Sequence, residues 1–160
     1  TRPLFAYYVN EDKPLTTKGF ETYIAANKDA LEIYLGYVYT DAKRTYNTYY
    51  PTLPLIAKHK IATVVAYEFS EKLRAGIEAA YTGKQTLDNG TQTNDYVFAA
   101  AMVRYGVGKV SFVLNIENIF DYRQNKNNQV VFPSYTNPSF PEIWAPLDGR
   151  VVNLSMLIKL

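Results

Sequence analysis

The chain has no cysteine and one histidine, His59, which excludes disulfides, thiolate metal sites and any metal centre built from imidazoles. A strong charge of one sign is missing as well. The formal net charge is +2 over 160 residues, too small to imply nucleic acid or another polyanion as a partner. No run approaches the 18 or so apolar residues that a membrane helix needs. That absence excludes helical spans and leaves strand spans open, because each strand of a transmembrane barrel carries a much weaker signal. Phosphate-loop, nucleophile-elbow and metal-ligand motifs are also lacking. Glu78 and Glu117 alone, among other carboxylates equally available, do not make a glycosidase. The chain is therefore not read as an enzyme, and no cofactor or metal is expected.

What is abundant is aromatic: 15 Tyr, 8 Phe and one Trp, 15% of the residues. Tyrosine in such excess suits places where a ring is half in oil and half in water. A period of two recurs along the chain, with no helical spacing sustained over four turns. The alternation predicts about eight strands, at 4–10, 18–26, 31–42, 60–70, 73–85, 95–105, 109–122 and 150–160. Asn27-Lys28-Asp29, Ser70-Glu71-Lys72 and Gly106-Val107-Gly108 read as tight turns. The connections 11–17, 43–59, 86–94 and 123–149 are longer. In an up-and-down sheet every second connection lies at the same end, so all short turns share one end and all long loops the other. Outer-membrane barrels show this asymmetry.

Each strand sets an oily row against a mixed one. In 31–42 the rows are Leu31, Ile33, Leu35, Tyr37, Tyr39 and Glu32, Tyr34, Gly36, Val38, Thr40. In 73–85 they are Leu73, Ala75, Ile77, Ala79, Tyr81 and Arg74, Gly76, Glu78, Ala80, Thr82, Lys84. In the last strand Val152, Leu154, Met156, Ile158 and Leu160 oppose Val151, Asn153, Ser155, Leu157 and Lys159. Aromatics of the oily rows fall toward the strand ends: Tyr37, Tyr39, Tyr81, Phe120 and Tyr122 at the long-loop end, Tyr67, Phe69 and Tyr105 at the short-turn end. A soluble core places its largest rings centrally, whereas a wall in lipid places them at the two water boundaries. The expected fold is an all-β, antiparallel, up-and-down transmembrane β-barrel. Its oily row would face outer-membrane lipid, and its charges Glu32, Glu68, Arg74, Glu78, Lys84, Arg104, Glu117 and Asp121 would face the lumen.

The long loops supply candidate ligand contacts. These are Tyr46, Tyr49 and Tyr50 in 43–59, and Phe132, Tyr135, Phe140 and Trp144 in 123–149. Rings held above a pore grip a small molecule or a glycan by stacking. The competing reading is that they pack among themselves and that Trp144 anchors near the lipid boundary. Opposed inward charges likewise pair across strands and solvate a wet wall without binding anything.

Five segments carry a resemblance: "TKGFETYIAA" (17–26), "YLGYVYTDAKRT" (34–45), "AGIEAAYTGKQ" (75–85), "NIENIFDYR" (115–123) and "PLDGRVVNLSMLIKL" (146–160). In this order they resemble the last strands of a TonB-dependent outer-membrane receptor. The Asn-Ile-Phe-Asp stretch and the Gly-Arg that opens the last strand carry most of the likeness. The family ends in an aromatic residue where this chain has Leu160. The resemblance implies a 22-stranded barrel plugged by a separate N-terminal domain, of which residues 1–160 would be a C-terminal piece without the plug. It further implies a bacterial outer-membrane location, import of a siderophore, cobalamin or glycan, and a TonB-type energising partner engaged through the absent N-terminal part. Two alternatives stand beside it: a self-contained eight-stranded outer-membrane barrel with a structural or adhesive role, and a soluble lipocalin-like barrel with the oily row inside.

Overall fold

A computed structural model describes residues 10–159. Seven strands form one antiparallel sheet in chain order: β1 (Leu15–Lys28), β2 (Leu31–Arg44), β3 (His59–Ser70), β4 (Leu73–Thr82), β5 (Tyr96–Val107), β6 (Val110–Glu117) and β7 (Val151–Ile158). A single helical turn, α1 (Gln124–Asn127), lies in the last connection. The strand expected at 4–10 falls outside the described residues, save Asn10, which is in no strand. The meander has the predicted asymmetry. Short turns join β1 to β2, β3 to β4 and β5 to β6 at one end, and the connections 45–58, 83–95 and 118–150 share the other.

Local chemistry sets the tight turns. Asp29 and Gly108 take the left-handed backbone, with φ of 53° and 59°, a conformation that Gly tolerates freely and Asp better than most. At the turn between β3 and β4 the Ser70 hydroxyl accepts the amides of Lys72 and Leu73.

Cross-strand register fixes which residues share a face. Asn27, Glu32, Ala66, Gly76, Met102, Asn115 and Asn153 form one continuous row across all seven strands. Ala26, Ile33, Val65, Ile77, Ala101, Ile116 and Val152 form the adjacent row, which points to the opposite face. The first face is concave. A recess of about 550 Å³ lies on it and is lined by Glu32, Arg74, Glu78, Asn115 and Glu117. The oily row stands on the convex side and is exposed even mid-sheet: Ile77 retains 53% of its surface and Leu114 39%. A lipocalin-like arrangement, oily row inside, is thereby reversed. β1 and β7 are not paired with each other, so among the described residues the sheet is an open, curved wall.

Two strands end earlier than the alternation predicts. β4 stops at Thr82, and Gly83 instead donates its amide to the carbonyl of His59 at 2.9 Å. β6 stops at Glu117 because Asn118 adopts φ of 48°, which breaks the period of two.

Among the described residues the wall has no conventional apolar core. Its buried apolar residues are alanines such as Ala66, Ala99 and Ala100. The largest fully buried side chains, Gln124 and Asn118, lie among the long connections, so close packing is concentrated in the loops.

Candidate functional site: the concave face and the cap of loops

The concave recess is lined by mixed charges. Glu32 and Arg74 form an ion pair at 2.7 Å between β2 and β4. It passes over Ala66 of β3, whose small buried side chain leaves the two long ones room to meet. Both partners are substantially exposed, so the pair adds little stability. Its role is to present charge on a wet surface. Glu78 and Glu117 also line the recess, and register puts Glu68 beside Arg74 and Arg74 beside Arg104 on the same face. Six of the eight sequence-predicted lumen charges thus share the concave side.

Lys84 and Asp121 do not. Lys84 follows the end of β4 and lines a separate recess with His59, Tyr81 and Asp95 at the base of the loops. Asp121, displaced by the turn at Asn118, is consumed in a local clasp. Its carboxylate accepts the Arg150 amide at 3.1 Å and the Lys126 ammonium at 2.5 Å. Those contacts, the Lys126 hydrogen bond first and the Arg150 amide next, hold its pKa below the ordinary 3.8. Asn118 Nδ2 donates to the carbonyls of Tyr122 and Asp148, and Arg150 Nε donates to that of Ile119. A Cβ at Gly149 would lie 2.6 Å from Asp121 Oδ1, so only glycine lets the carboxylate sit there. The Asn-Ile-Phe-Asp and Gly-Arg segments are therefore two halves of one clasp that pins both ends of the longest connection.

The same displacement moves Tyr122. Instead of joining the outer girdle, its ring stacks on Tyr96 at 5.1 Å, with the Trp144 ring edge-on at 6.4 Å. Burial, followed by the nearby Asp95, raises the pKa of its hydroxyl. Trp144 is only 7% exposed, so it packs inside the loops and contacts neither lipid nor an open surface.

All three long connections are tied together. Arg44, at the end of β2, donates Nε to the Tyr50 carbonyl and pairs with Asp88 through its guanidinium. The Asp88 amide donates to the Glu142 carboxylate at 3.0 Å. Gln85 Nε2 donates to the Trp144 carbonyl, while Gln124 Oε1 accepts the amides of Trp144 and Ala145, and Gln124 Nε2 donates to the Glu142 carbonyl. The Tyr50 ring lies against Gly90, where a Cβ would come within 2.5 Å of it. Trp144 is thus packed away, whereas Tyr50, though against Gly90, keeps 44% of its surface exposed. The other candidates, Tyr46, Tyr49, Phe132, Tyr135 and Phe140, remain exposed, Tyr49 by 88% and Tyr135 by 78%. Sequence reasoning missed Arg44, Asp88, Gln85, Gln124 and Glu142. They carry no motif.

On the convex face, Tyr67, Phe69, Tyr105 and Phe112 lie toward the short turns, and Phe20, Tyr37 and Tyr39 toward the loops. Rings at both boundaries and aliphatic side chains between them are what a wall in lipid requires.

No protein-family model matches the chain, and no curated protein does. Among solved structures it is similar to the open form of the ferric-catecholate import receptor Fiu from E. coli K12, with a TM-score of 0.61 and 21% sequence identity over 90% of this chain. The chain spans about a fifth (21%) of the length of that receptor. Together with the open wall and its two faces, this likeness establishes the fold of the chain as an antiparallel, up-and-down wall segment like the corresponding part of that receptor.

Proposed function

We propose that this chain is wall and outer loops of a bacterial outer-membrane importer, with its long connections on the cell exterior and its short turns toward the periplasm. The observation that carries the reading is the inversion of faces: aliphatic rows cover the convex side and charges line the concave one. A soluble barrel gains nothing from that arrangement, whereas lipid outside and water inside require it. Among the described residues β1 and β7 have unpaired outer edges, which call for further wall and favour a larger barrel over a self-contained small one. An N-terminal plug against the concave charges and a TonB-type energising protein complete this reading. The wall performs no chemistry; it encloses a path and holds the loops.

The ligand is proposed to be a small chelate or a glycan. Ferric catecholates come first, since they are what the similar receptor imports and their planar rings stack on aromatic side chains. Tyr49, Tyr135 and Phe140, exposed on the loops, are the gripping residues. The test uses the full-length protein that contains this segment. Cells lacking it should lose uptake of labelled ferric catecholate, and Tyr49→Ala with Tyr135→Ala and Phe140→Ala should weaken binding about tenfold or more. Unchanged uptake in the deletion strain would overturn the ligand class. A protein that fractionates as soluble without detergent would overturn the membrane reading altogether.

A further inference from the structure

At the loop end of the convex face, beside the rings of Phe20, Tyr37 and Tyr39, Lys18 and Lys43 stand on the row that should face lipid, and Lys58 and Lys84 lie in the connections next to it. Lys18 of β1 is paired in register with Asp41 of β2. Lys43 Nζ stands 3.5 Å and Lys58 Nζ 3.8 Å from the same carboxylate, both side chains 53% exposed. Next to them is a second recess, of about 310 Å³, whose lining includes Lys58, His59, Tyr81, Lys84 and Asp95. The Asp95 carboxylate already accepts the Tyr81 hydroxyl at 2.9 Å, and His59 Nδ1 is engaged by the Tyr37 hydroxyl at 2.8 Å. Lys18, Lys43 and Lys58 thus gather about Asp41, and Lys84 joins Lys58 and Asp95 at the adjoining recess: four lysines to two aspartates along this rim, with apolar rings beneath it and polar loops above.

We propose that this patch binds the phosphate-bearing headgroup of an anionic lipid in the leaflet at the long-loop end. The inference rests on the membrane reading above and adds a ligand to the outside of the wall. Ammonium groups recognise phosphate as point charges. They attract anionic headgroups over a Debye length at a membrane surface, with each lysine contributing separately. The rings pack against the first carbons of the acyl chains, and the recess beside Lys58 and Lys84 admits a headgroup with more than one phosphate. Position selects a lipid over a soluble anion, because a ligand here sits at the rim of the bilayer and not in the path through the barrel.

The full-length protein in detergent, titrated with bisphosphorylated lipid A and with phosphatidylcholine of matched chain length, provides the test, with retained lipid read by native mass spectrometry. Lys18→Gln with Lys43→Gln and Lys58→Gln should lower lipid A retention by about tenfold or more and leave phosphatidylcholine unchanged. Asp41→Asn, which removes the competing carboxylate, should raise lipid A retention. Lys60→Gln, on the concave face by its pairing with Thr82, should change nothing. Equal loss of both lipids would show a merely apolar belt, and undiminished lipid A in the triple variant would show that the lysines bind nothing; either overturns the proposal. Heat-modifiable gel mobility of every variant reports barrel formation separately, so failure of the membrane reading would be seen there first.

Discussion

A lysine at Ile77 should be far more costly than one at Asn115, and the size of the difference follows from depth. Ile77 lies five residues beyond Lys72, at the tight turn, and Leu114 five beyond Lys109. At about 3.3 Å per residue along a strand tilted by about 40°, each stands about 13 Å above the turns. That is half of the roughly 25 Å apolar band of an outer-membrane barrel, so both sit near the midplane. Ile77 pairs with Val65 and Ala101, and none of the three offers a charge or hydrogen bond to a buried ammonium. Ile77→Lys or Leu114→Lys should therefore cost about 2–4 kcal/mol, roughly 30- to 700-fold in the unfolding constant. Asn115 adjoins Leu114 at almost the same depth but lines the concave recess with Glu117 and Glu78. Asn115→Lys should stay within about 0.5 kcal/mol. The assay is reversible denaturant unfolding of the full-length protein in bilayers, comparing midpoints at constant slope. Equal costs at Leu114 and Asn115 would refute the assignment of faces, since depth is matched and only direction differs.

Gln124→Leu leaves the amides of Trp144 and Ala145 without their acceptor inside the loops, and should cost about 1–3 kcal/mol, seen as faster hydrogen exchange at those two amides with the strands unaffected. Gly149→Ala should dislodge Asp121 from the clasp at about 1–3 kcal/mol, and limited proteolysis would then cut within 118–150 sooner than in the parent. The Asp121 carboxyl has a folded pKa below the 3.8 of the free group, so its contribution is complete above that value and disappears as pH falls through the depressed folded value. Protection of the Arg150 amide, taken against its intrinsic exchange rate at each pH, should therefore fall only in acid, and Asp121→Asn should abolish that dependence.

The wall was legible in the sequence because a strand records its two faces at every second residue. Glu32, Arg74, Glu78 and Glu117 could be assigned to one side by parity alone, and hairpin residues such as Asp29 and Gly108 marked the short end. Parity fails once a strand ends, and nothing in a period of two announces the end. Lys84 and Asp121 continue their rows on paper, yet Gly83 and the left-handed Asn118 have already turned the chain. Tyr122 went astray for the same reason. The knot of Arg44, Asp88, Gln85, Gln124 and Glu142 was invisible because its partners lie on three separate connections. Each is an ordinary polar residue until the folded sheet brings the connections side by side. The clasp was visible as likeness without a cause: Asn118, Asp121, Gly149 and Arg150 stood out as a pattern, and their geometry explains why the pattern holds together.

The way the three long connections are bolted to one another has a consequence for engineering. Swapping any one of them for the equivalent from a related receptor would strand the donors and acceptors left behind on the other two, so they should be transplantable only as a set. The outboard tip from 128 to 141 is different. Apart from the Asn128 amide, which donates to the Gln124 carbonyl, its hydrogen bonds are its own, through the bridge of Phe132 with Ser139 and the Ser134–Thr136 hydroxyl pair, and it carries Tyr135 and Phe140. New binding properties are best introduced there, as a cassette on an unmoved platform.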